Sequence, residues 1–200
     1  MKTYAVSLLV CALIFGSTAL AEAQDIIVMY ADLTGTINEI EVDAYSSFHV
    51  YVLLKDPSST SDIIAWDCFI NYPDVAVGGN VIVTGWTIAG GGTNTVTEPE
   101  FQIAMLDVPP LANDDIVLLL SAEAYVTTTE QALIYIYGST LDPLGTGQPT
   151  YCPEDWEGDP SNLVAMNQSS GDPDLPVFTI NPDPVAVTSE SWGAIKTLYR

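Results

Sequence analysis

Glu154-Asp155-Trp156-Glu157-Gly158-Asp159-Pro160-Ser161-Asn162 sets hard oxygen donors on alternate residues around a glycine. Calcium prefers such donors, so Asp155, Glu157 and Asp159 are the candidate metal ligands, and ordering the loop would be the ion's role. The spacing departs from an EF-hand, and a solvated acidic loop accounts for the same residues. Trp156 stands among these acids. Exposed, its indole would stack on a sugar ring; folded back, it would cover the disulfide expected at Cys152.

Catalytic constellations are harder to find. His49 is the sole histidine, and neither a Gly-x-Ser-x-Gly elbow nor a Cys-x-x-Cys pair occurs. No residue is therefore nominated as catalytic. Paired carboxylates serve glycoside hydrolysis, but among 26 acids sequence proximity selects no pair.

Cys68 and Cys152 become a candidate disulfide through the first residues of the chain. Lys2, an apolar run over Ala5–Leu20 and Ala21-Glu22-Ala23 read as a signal peptide over residues 1–23, cleaved before Gln24. Cleavage discards Cys11 and leaves one pair in an oxidising compartment. It removes one charge of each sign, so the net charge stays at −22. Such a chain repels phosphate backbones and anionic lipid, which excludes nucleic acid and membrane surfaces as partners. With 48% hydrophobic residues it is nonetheless a folding chain rather than an acidic disordered one.

The elements that position these residues are strands. Apolar runs separated by Gly, Pro, Asn, Asp and Ser mark Ile26–Ala31, Ile40–Ala44, Phe48–Leu54, Ile63–Tyr72, Val81–Thr87, Phe101–Leu106, Ile116–Val126, Ala132–Tyr137, Thr150–Cys152 and Val177–Ile180. Alternation puts Phe48, Val50, Val52 and Leu54 on one face, and Leu118, Leu120, Ala122 and Ala124 on another. Nine or ten strands predict an all-β antiparallel sandwich, immunoglobulin-like or jelly-roll-like, over residues 24–181. The Gly90-Gly91-Gly92 run carries no lysine and reads as a floppy loop. Residues 138–171 read as a long surface excursion that a Cys68–Cys152 bridge would staple down.

Residues 182–200 form a proline-bearing linker and an amphipathic tail. Trp192, Ile195 and Tyr199 fall on one face of a short helix, with Leu198 nearby and Lys196 and Arg200 at the end that favours cations. The same apolar face suits packing on the sandwich or recognition by an export or assembly partner.

Ser191-Trp192-Gly193-Ala194-Ile195-Lys196-Thr197-Leu198-Tyr199-Arg200 is similar to the C-terminus of a group of exported bacterial proteins with no assigned activity. The body resembles that group through the Phe48–Leu54 strand running into Lys55-Asp56-Pro57, the Trp66 strand, Gly158 to Val164 and Asn167 to Gly171. The resemblance implies an exported, cohesin-like β-sandwich and brings no activity.

These readings converge on a secreted, non-catalytic interaction or structural module, extracellular, surface-associated or periplasmic, with a protein or polysaccharide partner. The alternatives are a carbohydrate-binding module using Trp156 and a secreted carboxylate hydrolase.

Overall fold

The computed structural model describes residues 24–72 and 79–183. The expected signal peptide lies outside them. So do residues 184–200, which hold Trp192, Ile195, Lys196, Leu198, Tyr199 and Arg200.

The described residues form two packed sheets. In chain order the strands are β1 (Ile26–Tyr30), β2 (Glu39–Ile40), β3 (Ser47–Lys55), β4 (Ile63–Asn71), β5 (Val81–Ile88), β6 (Thr93–Asn94), β7 (Glu100–Ala104), β8 (Ile116–Val126), β9 (Ala132–Tyr137), β10 (Thr150–Pro153), β11 (Val164–Ala165), β12 (Asn167–Gln168) and β13 (Phe178–Ile180). One sheet runs β12-β1-β3-β8-β5. The other runs β11-β10-β4-β9-β13-β2, with β7 on the second edge of β4 and β6 beyond it. All ten expected runs contain strands, though Ile40–Ala44 contributes only its first residue. The sandwich is mixed rather than wholly antiparallel: β12 adds parallel to β1, and β13 parallel to β2. Among the described residues no helix is long and apolar enough to cross a membrane.

The core follows the alternation. Val50, Val52 and Leu54 from β3 meet Trp66, Cys68 and Ile70 from β4, with Phe101, Ile134, Ile136 and Phe178 between them. One expectation changes at a bulge. Val52 pairs with Leu120 but Leu53 pairs with Leu118, so Leu119 is an extra residue in β8. Beyond it the faces exchange, and Val117 and Leu119 enter the core in place of Leu118. A second irregularity interrupts β5 between Thr84 and Thr87, where Gly85 takes φ 60°.

The glycine run is not floppy. Ala89–Gly91 is a single 3-10 turn, and a Cβ on Gly90, at φ 67°, would fall 2.7 Å from Met105 Cε and 2.8 Å from Leu111 Cδ2. Residues 138–171 are likewise woven into both sheets, because they supply β10, β11 and β12. Tyr151 and Met166 within this stretch are fully buried. The Tyr151 hydroxyl donates to Asp25 Oδ1 at 2.8 Å and accepts from Ser59 N at 3.2 Å. Burial, and then the neighbouring carboxylate, push its pKa up to about 12.

The Cys68–Cys152 bridge is absent; both cysteines are free and buried. Register explains this. Cys152 pairs with Ala65, three residues from Cys68 on the same strand β4. Three residues is an odd offset, so the two side chains leave opposite faces of the sheet, about 10 Å apart along the strand. Cys68 points into the core and Cys152 to the outer face, outside the reach of a disulfide.

β9 and β10 occupy the same edge of β4 in succession. Tyr137 pairs with Phe69, and Thr150 takes the next place, opposite Asp67. Residues 138–149 are looped out between them. Gly138 N donates to Gly147 O at 2.9 Å, and a Cβ on Gly138 would lie 2.6 Å from Gln148 O, so this closure requires glycine. The gap in the ladder is bridged by a side chain. Asp67, only 4% exposed, accepts from Ser139 N at 3.2 Å, from Thr150 N at 2.9 Å and from the Thr150 hydroxyl.

Two outcomes follow. Asp67→Ala leaves two buried amides without acceptors and lowers stability by about 2–4 kcal/mol in urea unfolding; a loss below about 0.5 kcal/mol would contradict this role. Reductant leaves the melting temperature unchanged, and intact mass retains both thiol hydrogens; loss of two hydrogens would restore the bridge.

Candidate functional site

The loop 138–149 crosses the outer face of the larger sheet and is tied at both sides. Ser139 sits on Asp67, and Glu100 of β7 accepts from both Thr140 N and Thr140 Oγ1 at 2.6 Å. These bonds, the hydroxyl first, hold the Glu100 carboxyl below its usual pKa. Leu141 and Pro143 follow on this strap.

On the other side stands the acidic turn. Glu154–Trp156 is a 3-10 turn closed by Glu157 in the left-handed region at φ 53°, followed by a second turn at Pro160–Asn162. Asp159 caps that second turn, accepting from Ser161 N at 2.9 Å, and the bond lowers its pKa. Asp155 and Glu157 are exposed. Among the described residues no group of three or more His, Cys, Asp or Glu is placed to hold a metal ion.

Between strap and turn lies an apolar groove of about 350 Å³. Ala65 of β4 and Ala104 of β7 are directly paired, and their short side chains leave its floor low. Cys152, Thr150, Asp67 and Gln102 extend the floor; Leu141 and Pro143 form one wall, Trp156 and Leu163 the other. Trp156 has folded back onto this groove with Cys152. The indole is half-buried, and its Nε1–H is shielded from solvent without an acceptor. A shielded donor without a partner costs about 1–3 kcal/mol. A bound oxygen would reach it only if the indole turned toward the groove.

Farther along the same face Phe69, Tyr137 and Tyr135 stack in a ladder, with ring centroids 6.5 and 6.2 Å apart. The sequence gives no sign of the groove, since it depends on two short residues meeting across a register and on a loop tied down by Asp67 and Glu100.

Reactive groups are dispersed. Burial, with Asp155 adding to it, pushes the Cys152 thiol up to about 11, and burial raises Cys68 further above its usual range. His49 is exposed on β3, in the other sheet, paired with Glu123 of β8. The carboxylates near these thiols, Asp155 and Asp67, disfavour the thiolates, and the one histidine lies across the sandwich from Cys152.

Alkylation of Cys152 in the folded protein therefore rises about tenfold per pH unit up to pH ~11, while Cys68 labels only on unfolding. Fast labelling of Cys68 near neutrality would contradict its placement. For Glu100, the folded pKa lies below the unfolded one. Its stabilisation is complete above the unfolded value and lost as pH falls through the folded value. Glu100→Gln should flatten stability against pH in that acid range, and an unchanged profile would remove the strap tie.

No family model matches the sequence, and no curated protein matches it. Solved chains to which it is similar are cohesin modules. The sixth cohesin of scaffoldin B from Acetivibrio cellulolyticus, in complex with a Cel5 dockerin mutant, is 12% identical over 80% of this chain and 100% of that one, with a TM-score of 0.49. A type II cohesin domain from the cellulosome of the same organism is 13% identical over 82% and 98%, with a TM-score of 0.48. The third ScaB cohesin of R. flavefaciens, in complex with a group 1 dockerin, is 14% identical over 82% and 99%, with a TM-score of 0.46.

Proposed function

We propose that this chain is an exported, non-catalytic module that binds another protein through the outer face of its larger sheet. The observation that carries this reading is the apolar groove, with Trp156 on its wall. A segment laid between strap and turn would bury apolar side chains against Leu141, Pro143, Trp156 and Leu163 and, with the indole turned toward the groove, offer it a backbone carbonyl. Protein segments supply both; apolar burial with a few placed polar groups is the usual chemistry of a docking pocket. The aromatic ladder of Phe69, Tyr137 and Tyr135 would extend the contact.

Catalysis is not part of the reading. The Cys152 thiol is held neutral, Asp67 is committed to three donors, and His49 faces the other way. Export is inferred from the leader-like residues 1–23. A net charge of −22 opposes association with anionic partners. That charge selects partners carrying cations around an apolar core. A saccharide is a weaker fit, because a sugar ring needs several polar side chains around its stacking platform, and the groove walls are mainly apolar.

The test uses the Trp156 indole N–H as reporter, assigned in the ¹⁵N spectrum by Trp156→Phe. An amphipathic Lys-, Trp- and Leu-containing peptide, unrelated in sequence to this chain, should shift that resonance saturably. Soluble oligosaccharides should leave it in place. The reverse pattern would replace the protein-binding reading with the carbohydrate one.

A further inference from the structure

We infer that the groove receives the segment Trp192–Arg200 of a second copy of this chain, so that copies associate head to tail. The inference rests on the protein-docking reading of the groove and names its occupant. Three observations lead to it.

The first is charge. Lys55 is the only Lys or Arg among the described residues, so two copies meet as bodies of the same sign. Exposed Glu154, Asp155 and Glu157 stand on the turn that carries Trp156, which makes the rim of the groove acidic as well. Segment 192–200 carries Lys196 and Arg200, and thus the cations that this rim attracts.

The second is apolar content. Trp192, Ile195, Leu198 and Tyr199 lie among those cations, and a groove floored by Ala65 and Ala104 has room for large side chains. An amphipathic segment laid into an apolar groove is a recurrent recognition mode.

The third is topology, which favours another molecule's groove over the chain's own. Ile180 of β13 pairs with Ala132, three residues beyond the Tyr135–Asn71 pair, so the chain leaves the sheet past the Asn71 end of β4. Ala65 lies about nine residues back along the strand direction, ~30 Å away, and two strands sideways add about 10 Å. Trp192 follows Asp183 by nine residues, which span about 30 Å when fully extended. Trp192 therefore reaches its own groove only with the intervening chain drawn out almost straight. Donor and acceptor sit at opposite ends of one sheet, so copies aligned in one direction join head to tail, whereas an antiparallel pair exchanging tails would close as a dimer.

The full mature chain, kept reduced so that Cys152 cannot cross-link, is examined by sedimentation velocity over a wide dilution range. Its mean mass should rise with concentration at a fixed salt level, since salt screens both the repulsion between like-charged bodies and the contacts of the tail with the acidic rim. Trp192→Ala with Ile195→Ala should weaken self-association at least ~10-fold, as removal of central aromatic and aliphatic anchors does. Ala104→Trp fills the groove floor and should do the same. Leu141→Asp, on the exposed wall, is the second groove variant should Ala104→Trp fail to fold. An equimolar mixture of a tail variant and a groove variant should give one-to-one pairs that grow no further, since only one intact tail and one intact groove remain in each pair.

Wild-type chain that stays monomeric, or variants that associate as it does, would overturn the inference. If the unrelated peptide still shifts the Trp156 resonance in that case, the groove binds protein but not this tail. If neither peptide nor concentration moves it, the docking reading fails together with the inference.

Discussion

One carboxylate decides what the outer face of this sandwich looks like. Asp67 occupies the place where the edge of β4 passes from β9 to β10, and there the chain departs for a dozen residues before resuming the ladder. Without an acceptor at that point, the amides of Ser139 and Thr150 would be buried and unpaired. Asp67 takes both, and the Thr150 hydroxyl with them. A buried charge is costly alone, but several donors in a rigid setting offset that cost. The strap carrying Leu141 and Pro143 is therefore held at its root, and Glu100 holds its far side through Thr140. A pair of acids that read as ordinary strand residues gives a flat sheet one wall of a groove.

The other wall is built by different means. Proline and left-handed residues fold the acidic turn back on itself, and Asp159 stabilises the fold by capping Pro160–Asn162. Of the turn's carboxylates, Asp159 accepts from Ser161 N, and Asp155 and Glu157 are exposed. What the turn contributes to the surface is Trp156, laid against Cys152, with its one polar atom unanswered.

The strands were legible because period-two alternation over five or more residues has few competing explanations. Phe48, Val50, Val52 and Leu54 kept their common face. Pairing register was not legible, and most departures trace to it. Whether Cys68 and Cys152 share a face depends on Cys152 standing opposite Ala65 rather than one residue away. Leu118 lost its core place because Leu119 was inserted against β3. The two-residue strands β11 and β12 carry no periodicity at all, since two residues cannot show one. They form because Tyr151 and Met166 on either side are drawn into the core, and Asp25 ties the buried Tyr151 hydroxyl to the first residues of β1. The groove was least visible, being a property of contacts between elements far apart in the chain.

The break in β5 bears on how the molecule behaves in crowded surroundings. β5 ends the smaller sheet, and its Val81-Ile82-Val83 start is the kind of apolar ribbon on which a stray strand can grow into a fibril. At Gly85 the backbone turns through φ 60° and the ladder skips from Thr84 to Thr87, so an incoming strand finds no straight template of useful length. The kink acts as a steric safeguard. It lets an unusually apolar chain end a sheet with a strand of eight residues while offering no continuous rail for amyloid-like stacking.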